Sequence, residues 1–269
     1  MSSAPSIMGI VNVTPDSFSD GGQFLDPEIA VRRALALAEE GADILDIGGE
    51  STRPGADDVG VEEELARVIP VVKGLFGKTD AVISVDTRKP EVARAAMAEG
   101  ASIWNDVTAL SFSQHSLEAA AALNCRIVLM HAQGDPKTMQ ERPHYDDVVG
   151  EVCAYLASRI DACLKAGIDK NRLILDPGIG FGKTLAHNLA LIANLGRLTD
   201  FGLPVLLGAS RKRFISALDR DCPADERLGG SLAAVLEGWR RGASIFRVHD
   251  VAATRQALAV AGAIEATEF

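Results

Sequence analysis

Short apolar runs recur along the whole chain, each ending in a polar cluster. Residues 6–11, 43–47, 81–85, 102–104, 126–130, 172–175, 204–207 and 244–248 read as strands. Their hydrophobicity is continuous with little alternation, as expected of parallel strands covered on both faces. Amphipathic, Ala- and Leu-rich stretches alternate with them. The first opens on Asp26-Pro27 and runs to Glu40, with others near 62–75, 90–99, 116–123, 146–166, 188–195, 227–241 and 251–266. Proline suits a first helical position. Three helices end on the same joint, at Gly41-Ala42-Asp43, Gly100-Ala101-Ser102 and Gly242-Ala243-Ser244, which reads as a glycine C-cap feeding a strand. Eight such β/α units predict a single-domain α/β protein, a (β/α)8 TIM barrel over residues 1–269, with an open doubly wound sheet as the alternative. The longest insertions, 12–25 and 131–145, fall on the strand-to-helix side, where barrel active sites sit.

The strand ends carry polar residues with little structural purpose. They are Asn12, the Gly-rich loop 48–55, Asp86-Thr87-Arg88, Asn105-Asp106, His131, Asp176, Ser210-Arg211-Lys212 and Arg247-Val248-His249-Asp250. Taken singly, Asp106 and Asp250 read as caps of the helices that follow. Taken together, the set would converge on one barrel mouth. Asp86, Asn105 and Asp176 offer acceptors and a carboxamide near the barrel axis, where a carboxylate needs a partner. Lys212, Arg247 and His249 end the last two strands, the usual phosphate corner of this architecture, and Arg53 joins them from loop 48–55. The pattern predicts a ligand with a donor-rich ring at one end and phosphate at the other.

Composition narrows the field. Aromatics make up only 5% of the 269 residues, so the core is aliphatic. The net charge of −10 argues against general nucleic-acid binding, which needs a basic surface, but not against a small anion held by a local cationic cluster. Four scattered cysteines form no C-x-x-C pair, and neither a signal peptide nor an apolar run of membrane-spanning length is visible, so a cytoplasmic, non-membrane protein is expected. The stretch DPGIGFGKT (176–184) is not a phosphate-binding Walker loop, because Pro177 stands where the first glycine belongs.

The stretches IMGIVNVTPDSFSDGG (7–22), DILDIGGESTRPGA (43–56), ISVDTRKPEVA (83–93), IWNDV (103–107), LMHAQG (129–134), LILDPGIGFGKT (173–184), GASRKRFI (208–215) and RVHDV (247–251) together resemble the dihydropteroate synthases. The resemblance implies a folate-pathway transferase, in which p-aminobenzoate displaces pyrophosphate from 6-hydroxymethyl-7,8-dihydropterin pyrophosphate. It gives Asn12 to Mg2+, Asp86, Asn105, Asp176 and Lys212 to the pterin, and Arg247 and His249 to pyrophosphate. Phe181, Lys212 and loop 48–55 would help form the p-aminobenzoate pocket, where sulfonamides also bind in the family, and Gly182 would be substrate-binding. Thr52 and Arg53 would sit with Lys212 at the reacting centre, on a loop that closes over it. A homodimer is implied as well. Ala132 and Arg213 depart from residues frequent in the family and bear on that pocket. A pterin-binding methyltransferase domain would share the Asp/Asn/Asp set but has no need of the phosphate corner or of Thr52-Arg53.

Overall fold

The computed structural model describes residues 4–14, 26–51, 58–134 and 138–267. Among these the strands are β1 (Ser6–Asn12), β2 (Ile44–Gly48), β3 (Val82–Asp86), β4 (Ile103–Asp106), β5 (Arg126–Met130), β6 (Leu173–Asp176), β7 (Leu206–Leu207) and β8 (Ile245–Val248). All pair in parallel, in the order β6-β5-β4-β3-β2-β1-β8-β7. The two ends of that order meet at the Leu175–Val205 bridge, where the Leu175 N–H donates to the Pro204 carbonyl at 2.9 Å. The sheet is therefore a closed (β/α)8 barrel, and the open doubly wound alternative falls away.

The helices are α1 (Pro27–Glu40), α2 (Val61–Leu75), α3 (Pro90–Ala98), α4 (Ser116–Ala122), α5 (Val148–Lys165), α6 (Leu185–Ala193), α7 (Gly196–Thr199), α8 (Arg213–Leu218), α9 (Leu228–Arg240) and α10 (Val251–Glu265). Helices α7 and α8 were not expected from the sequence, because four and six residues are too few to display a helical period. Helix α6 starts three residues before the expected 188. Thr184 Oγ1 accepts from the His187 N–H, and His187 Nδ1 accepts from the Thr184 N–H, each at 3.2 Å. This is a capping box closed by histidine in place of the usual Glu or Gln.

The three Gly-Ala-X joints make the same bonds. Each glycine has positive φ, 103°, 108° and 94°. Each following alanine donates five residues back, Ala42 to Leu37, Ala101 to Ala96 and Ala243 to Gly238, at 2.9–3.0 Å. That is the hydrogen bond that ends a Schellman turn. The third residue then donates into the neighbouring strand, Asp43 to Ile7, Ser102 to Ile83 and Ser244 to Val205, all at 2.9 Å. One tripeptide thus ends a helix and sets the register of the next strand.

Each strand has two faces. The outward face, with Leu45, Ile47, Val85, Trp104, Leu129, Leu175 and Phe246 among others, packs under the helices. The inward face forms a separate cluster of Met8, Ile44, Ile103, Val128, Ile174, Leu206 and Ile245, which plugs the barrel. At β3 the corresponding position is Ser84, whose hydroxyl donates to Asp46 Oδ1 at 2.6 Å. Two residues beyond the plug, the same inward faces carry Asp46, Asn105, Asp176 and Arg247, and two beyond Ser84 lies Asp86. Below the plug, at the N-terminal end, a cavity of about 390 Å3 is lined by residues including Ser6, Asp43, Ser102, Arg126 and Arg172. Truncating Ile174 to alanine in the plug should lower the unfolding free energy by about 3 kcal/mol in urea denaturation, as for other buried aliphatic truncations; a loss under about 1 kcal/mol would mean that the barrel interior is not tightly packed.

Candidate active site

The inward residues above the plug form one charged floor. Arg247, on β8, donates from Nε to Asp46 Oδ2 at 2.6 Å and from Nη2 to Asp86 Oδ2 at 2.7 Å. Asp46 Oδ2 also accepts from Asn105 Nδ2 at 3.0 Å. Asp46, fully buried, therefore takes bonds from Ser84, Asn105 and Arg247, which belong to three other strands. Asp176, at the end of β6, accepts from the Gly178 N–H at 2.7 Å.

Burial dominates the titration of these groups. It pushes the Asp86 carboxyl up to about 7, with Arg247 pulling it down and Asp46, Glu64 and Asp106 adding to the rise. It raises Asp176 too, against the pull of Lys212. Lys212 falls to about 8 for the same reason, with Asp176 resisting and Arg247 adding to the fall. Burial weakens Arg247 as a base, but Asp46 and Asp86 more than offset that and hold it above the usual arginine range.

The loop after β6 forms one wall. Gly178, Gly180 and Gly182 all have positive φ, 67°, 83° and 61°. Four consecutive carbonyls each accept from a side chain. Ile179 O accepts from Lys212 Nζ, Gly180 O from Gln140 Nε2, Phe181 O from Lys183 Nζ at 2.9 Å and Gly182 O from Tyr145 OH at 3.0 Å. Lys212 Nζ lies 4.5 Å from the centroid of the Phe181 ring. Gly178 is glycine for a reason other than room for a ligand. A Cβ there would stand 1.9 Å from the His131 carbonyl. At Gly182 it would meet the Gln133 carbonyl at 2.5 Å. A cavity of about 110 Å3 adjoins Phe181, lined by residues including Ala132, Met139 and Tyr155.

Several expected site residues share this mouth. Asp86, Asn105, Asp176, Lys212 and Arg247 are brought together, with Phe181 on the wall and Asn12 at the end of β1, paired with Gly48. His249 Nδ1 lies 3.0 Å from Ser210 Oγ, and its N–H donates to the same oxygen. Asp106 does not cap the helix that follows, which starts at Ser116; it holds a turn, accepting from the Thr108 and Leu110 N–H groups at 2.8 and 2.9 Å. Asp250 makes no side-chain cap bond and instead pairs with Arg211, so its reading as a cap does not hold.

Thr52 and Arg53 lie outside the described residues, but the residues flanking them are firmly held. Glu50 accepts from Arg88 Nε and Nη2, from Lys89 Nζ at 2.9 Å and from the Val59 N–H at 3.0 Å. Burial alone would raise Glu50, and these bonds bring it below its ordinary value. Arg88 also donates to Asp58, and Lys89 to the buried Glu64 at 2.5 Å. Both sides of the interval are therefore anchored to the end of β3.

The sequence reading passed over two features. Asp46 is one, although its place two residues past Ile44 puts it on the inward face. Lys183 is the other, since its partner His131 is 52 residues away and nothing local marks the contact.

Residues 8–249 match a family model described as "Pterin binding enzyme". The chain is 52% identical to dihydropteroate synthase of Escherichia coli (strain K12) over 265 residues, 98% of this chain and 92% of that protein. A solved Xanthomonas albilineans dihydropteroate synthase with 4-aminobenzoic acid superposes with a TM-score of 0.93 at 55% identity, covering 99% of this chain and 95% of its own. The same enzyme in complex with 7,8-dihydropteroate gives 0.89 at 52% identity, with the same coverage.

With an ordinary value of 3.8 raised to about 7, Asp86 keeps in the folded protein a proton that the unfolded chain has released. Its contribution to stability is complete at low pH and is lost as pH rises through the folded value. Between about pH 4 and about pH 7 the unliganded protein should lose stability relative to an Asp86→Asn variant in urea titrations, with little further change above that. Parallel pH curves for the two proteins would contradict the burial argument.

Proposed function

The chain belongs to the pterin-binding enzymes, and within them to the dihydropteroate synthases, and from that membership we infer that it condenses 6-hydroxymethyl-7,8-dihydropterin pyrophosphate with p-aminobenzoate, giving 7,8-dihydropteroate and pyrophosphate. The observation that carries this reading is the buried floor. Asp86, Asn105 and Asp176 present acceptors and a carboxamide toward one mouth, suited to a flat heterocycle rich in N–H donors. The cations Arg247 and Lys212 lie beside them and suit the anionic end of the same molecule.

In this reading the pterin ring lies over Asp86, Asn105 and Asp176, with Lys212 at its edge, and Arg247 and His249 receive the pyrophosphate. The arylamine enters between Phe181, Gly182 and Lys212. Its nitrogen lone pair forms the new bond to the exocyclic methylene carbon as the carbon–oxygen bond breaks, and the nitrogen then gives up a proton. Positive charge develops on that carbon and is shared with the electron-rich pterin. The arylamine is a competent nucleophile without deprotonation, so the reaction needs no histidine–carboxylate pair. Thr52 and Arg53 are assigned to the reacting centre by their place in the ESTRPG motif, where a closing loop would exclude water from the cationic carbon.

Mg2+ is part of the proposal, with Asn12 as its protein ligand. Asn12 ends β1 and offers one neutral carboxamide oxygen. Among the described residues no group of three or more His, Cys, Asp or Glu side chains could cage a metal. That donor set suits Mg2+, which keeps much of its water and takes phosphate oxygens instead of a full protein shell. Bound there, it would offset charge on the departing pyrophosphate. We also assign residues 1–269 to one pterin-binding domain that works as a cytoplasmic homodimer. The resemblance to the family supports this, and no helix among the described residues is long and apolar enough to cross a membrane.

Purified protein supplied with Mg2+, the pterin pyrophosphate and p-aminobenzoate should release pyrophosphate and form dihydropteroate. Release that required a methyl donor would point to a pterin methyltransferase. An Arg53→Ala variant should bind the pterin pyrophosphate with wild-type affinity by calorimetry and lose turnover; equal loss of both would remove Arg53 from the reacting centre.

A further inference from the structure

Lys183 has no place in the reaction described above, yet it is one of the most buried cations in the chain, 3% exposed. Its Nζ has three neutral acceptors, Phe181 O at 2.9 Å, His131 Nδ1 at 3.0 Å and His131 O at 3.2 Å. The three hydrogens of an ammonium match those three acceptors, and no carboxylate is among them. His131 stays neutral, since burial and then the charge of Lys183 bring it down to about 3. With Nδ1 accepting, its proton sits on Nε2.

The arrangement is costly. Burial brings Lys183 down to about 7, against the pull of Asp176 and with Lys212 adding to the fall. A turn selected for stability alone could be closed by an apolar or amide side chain without burying a charge. What the ammonium does at that place is hold one peptide unit. The Phe181 carbonyl is tied to the end of β5, and the Phe181 ring, on the same residue, stands 4.5 Å from Lys212 Nζ. Lys212 is itself tied back to the Ile179 carbonyl. Ring, cation and turn form one unit with Lys183 behind it.

We propose that Lys183 is a positioning residue for the arylamine substrate, its ammonium fixing the Phe181 peptide and thereby the ring that faces Lys212. The proposal rests on the assignment of Phe181 and Lys212 to the p-aminobenzoate pocket. A staple that served only the fold would weaken everything together. A positioning residue affects one substrate.

The test compares wild type, Lys183→Met and Lys183→Arg by steady-state kinetics, by calorimetric binding of the pterin pyrophosphate and by thermal unfolding. Lys183→Met should raise KM for p-aminobenzoate about tenfold, the order expected for losing the one charge-assisted bond that reaches the Phe181 peptide. Its Kd for the pterin pyrophosphate should stay within about twofold of wild type, because the floor under the ring is untouched. Lys183→Arg should recover most of the KM. An unchanged KM, or equal weakening toward both substrates with a fallen Tm and no recovery in the arginine variant, would overturn the proposal. If Lys183→Met does not fold, Lys183→Gln keeps N–H donors without the charge and carries the same comparison. Failure of both to fold would make Lys183 a stability residue and overturn it equally. Failure of the functional reading shows separately, as wild-type enzyme that forms no dihydropteroate.

Discussion

A guanidinium held between two carboxylates inside a closed barrel is the interaction on which the site depends. Arg247 lies 201 residues from Asp46 and 161 from Asp86 along the chain. The bonds exist because the ring of strands brings β8 beside β1 and one place from β2. In water such pairs contribute little, but here the two carboxylates are buried and only the arginine side chain reaches the mouth, so each carboxylate needs its partner. Removing Arg247 would leave two buried carboxylates facing each other, and removing Asp46 would strip an acceptor from Ser84, Asn105 and Arg247 at once. The floor is therefore a network in which no member can be changed alone. A substrate arriving there meets groups already fixed in direction, and little reorganisation is left to do during the reaction.

The wall of the site is built on a different plan. The turn after β6 has no regular hydrogen-bond ladder of its own at residues 179–182, and its carbonyls are satisfied one by one by Lys212, Gln140, Lys183 and Tyr145. Alternating positive-φ glycines make this possible, because they turn successive carbonyls in different directions. An irregular backbone thus has as many specific partners as a short strand would. The partners come from the segments after β5, β6 and β7, so the wall also joins three neighbouring loops.

Much of this was legible in the sequence. Apolar runs of strand length, alternating with amphipathic helices, required little beyond periodicity, and the Gly-Ala-X joints marked three of the strand starts directly. The polar strand ends stood out because packing does not explain an Asp or Arg there. What stayed hidden depended on distance or brevity. Helix α8 begins inside a motif that reads as chemistry. The start of α6 was obscured because a histidine does the work expected of a glutamate. Asp250 looked like a cap, and only the barrel shows Arg211 beside it. Lys183 and His131 could not be paired without the fold, since nothing local signals a bond across 52 residues.

The two-residue interval between plug and floor has a consequence for how such an enzyme can change. Ile44 and Asp46, Ile103 and Asn105, Ile174 and Asp176, and Ile245 and Arg247 are next neighbours on one face, so each reactive group is mounted directly on a packing residue. A strand has no slack between them, and a substitution on either member is transmitted to the other. Variation that preserves turnover is thereby channelled into the loops, to positions such as Ala132 and Arg213 that carry no member of the floor. Selection by a competitive inhibitor would be answered along that rim, while the strand-borne half of the mouth stayed constant.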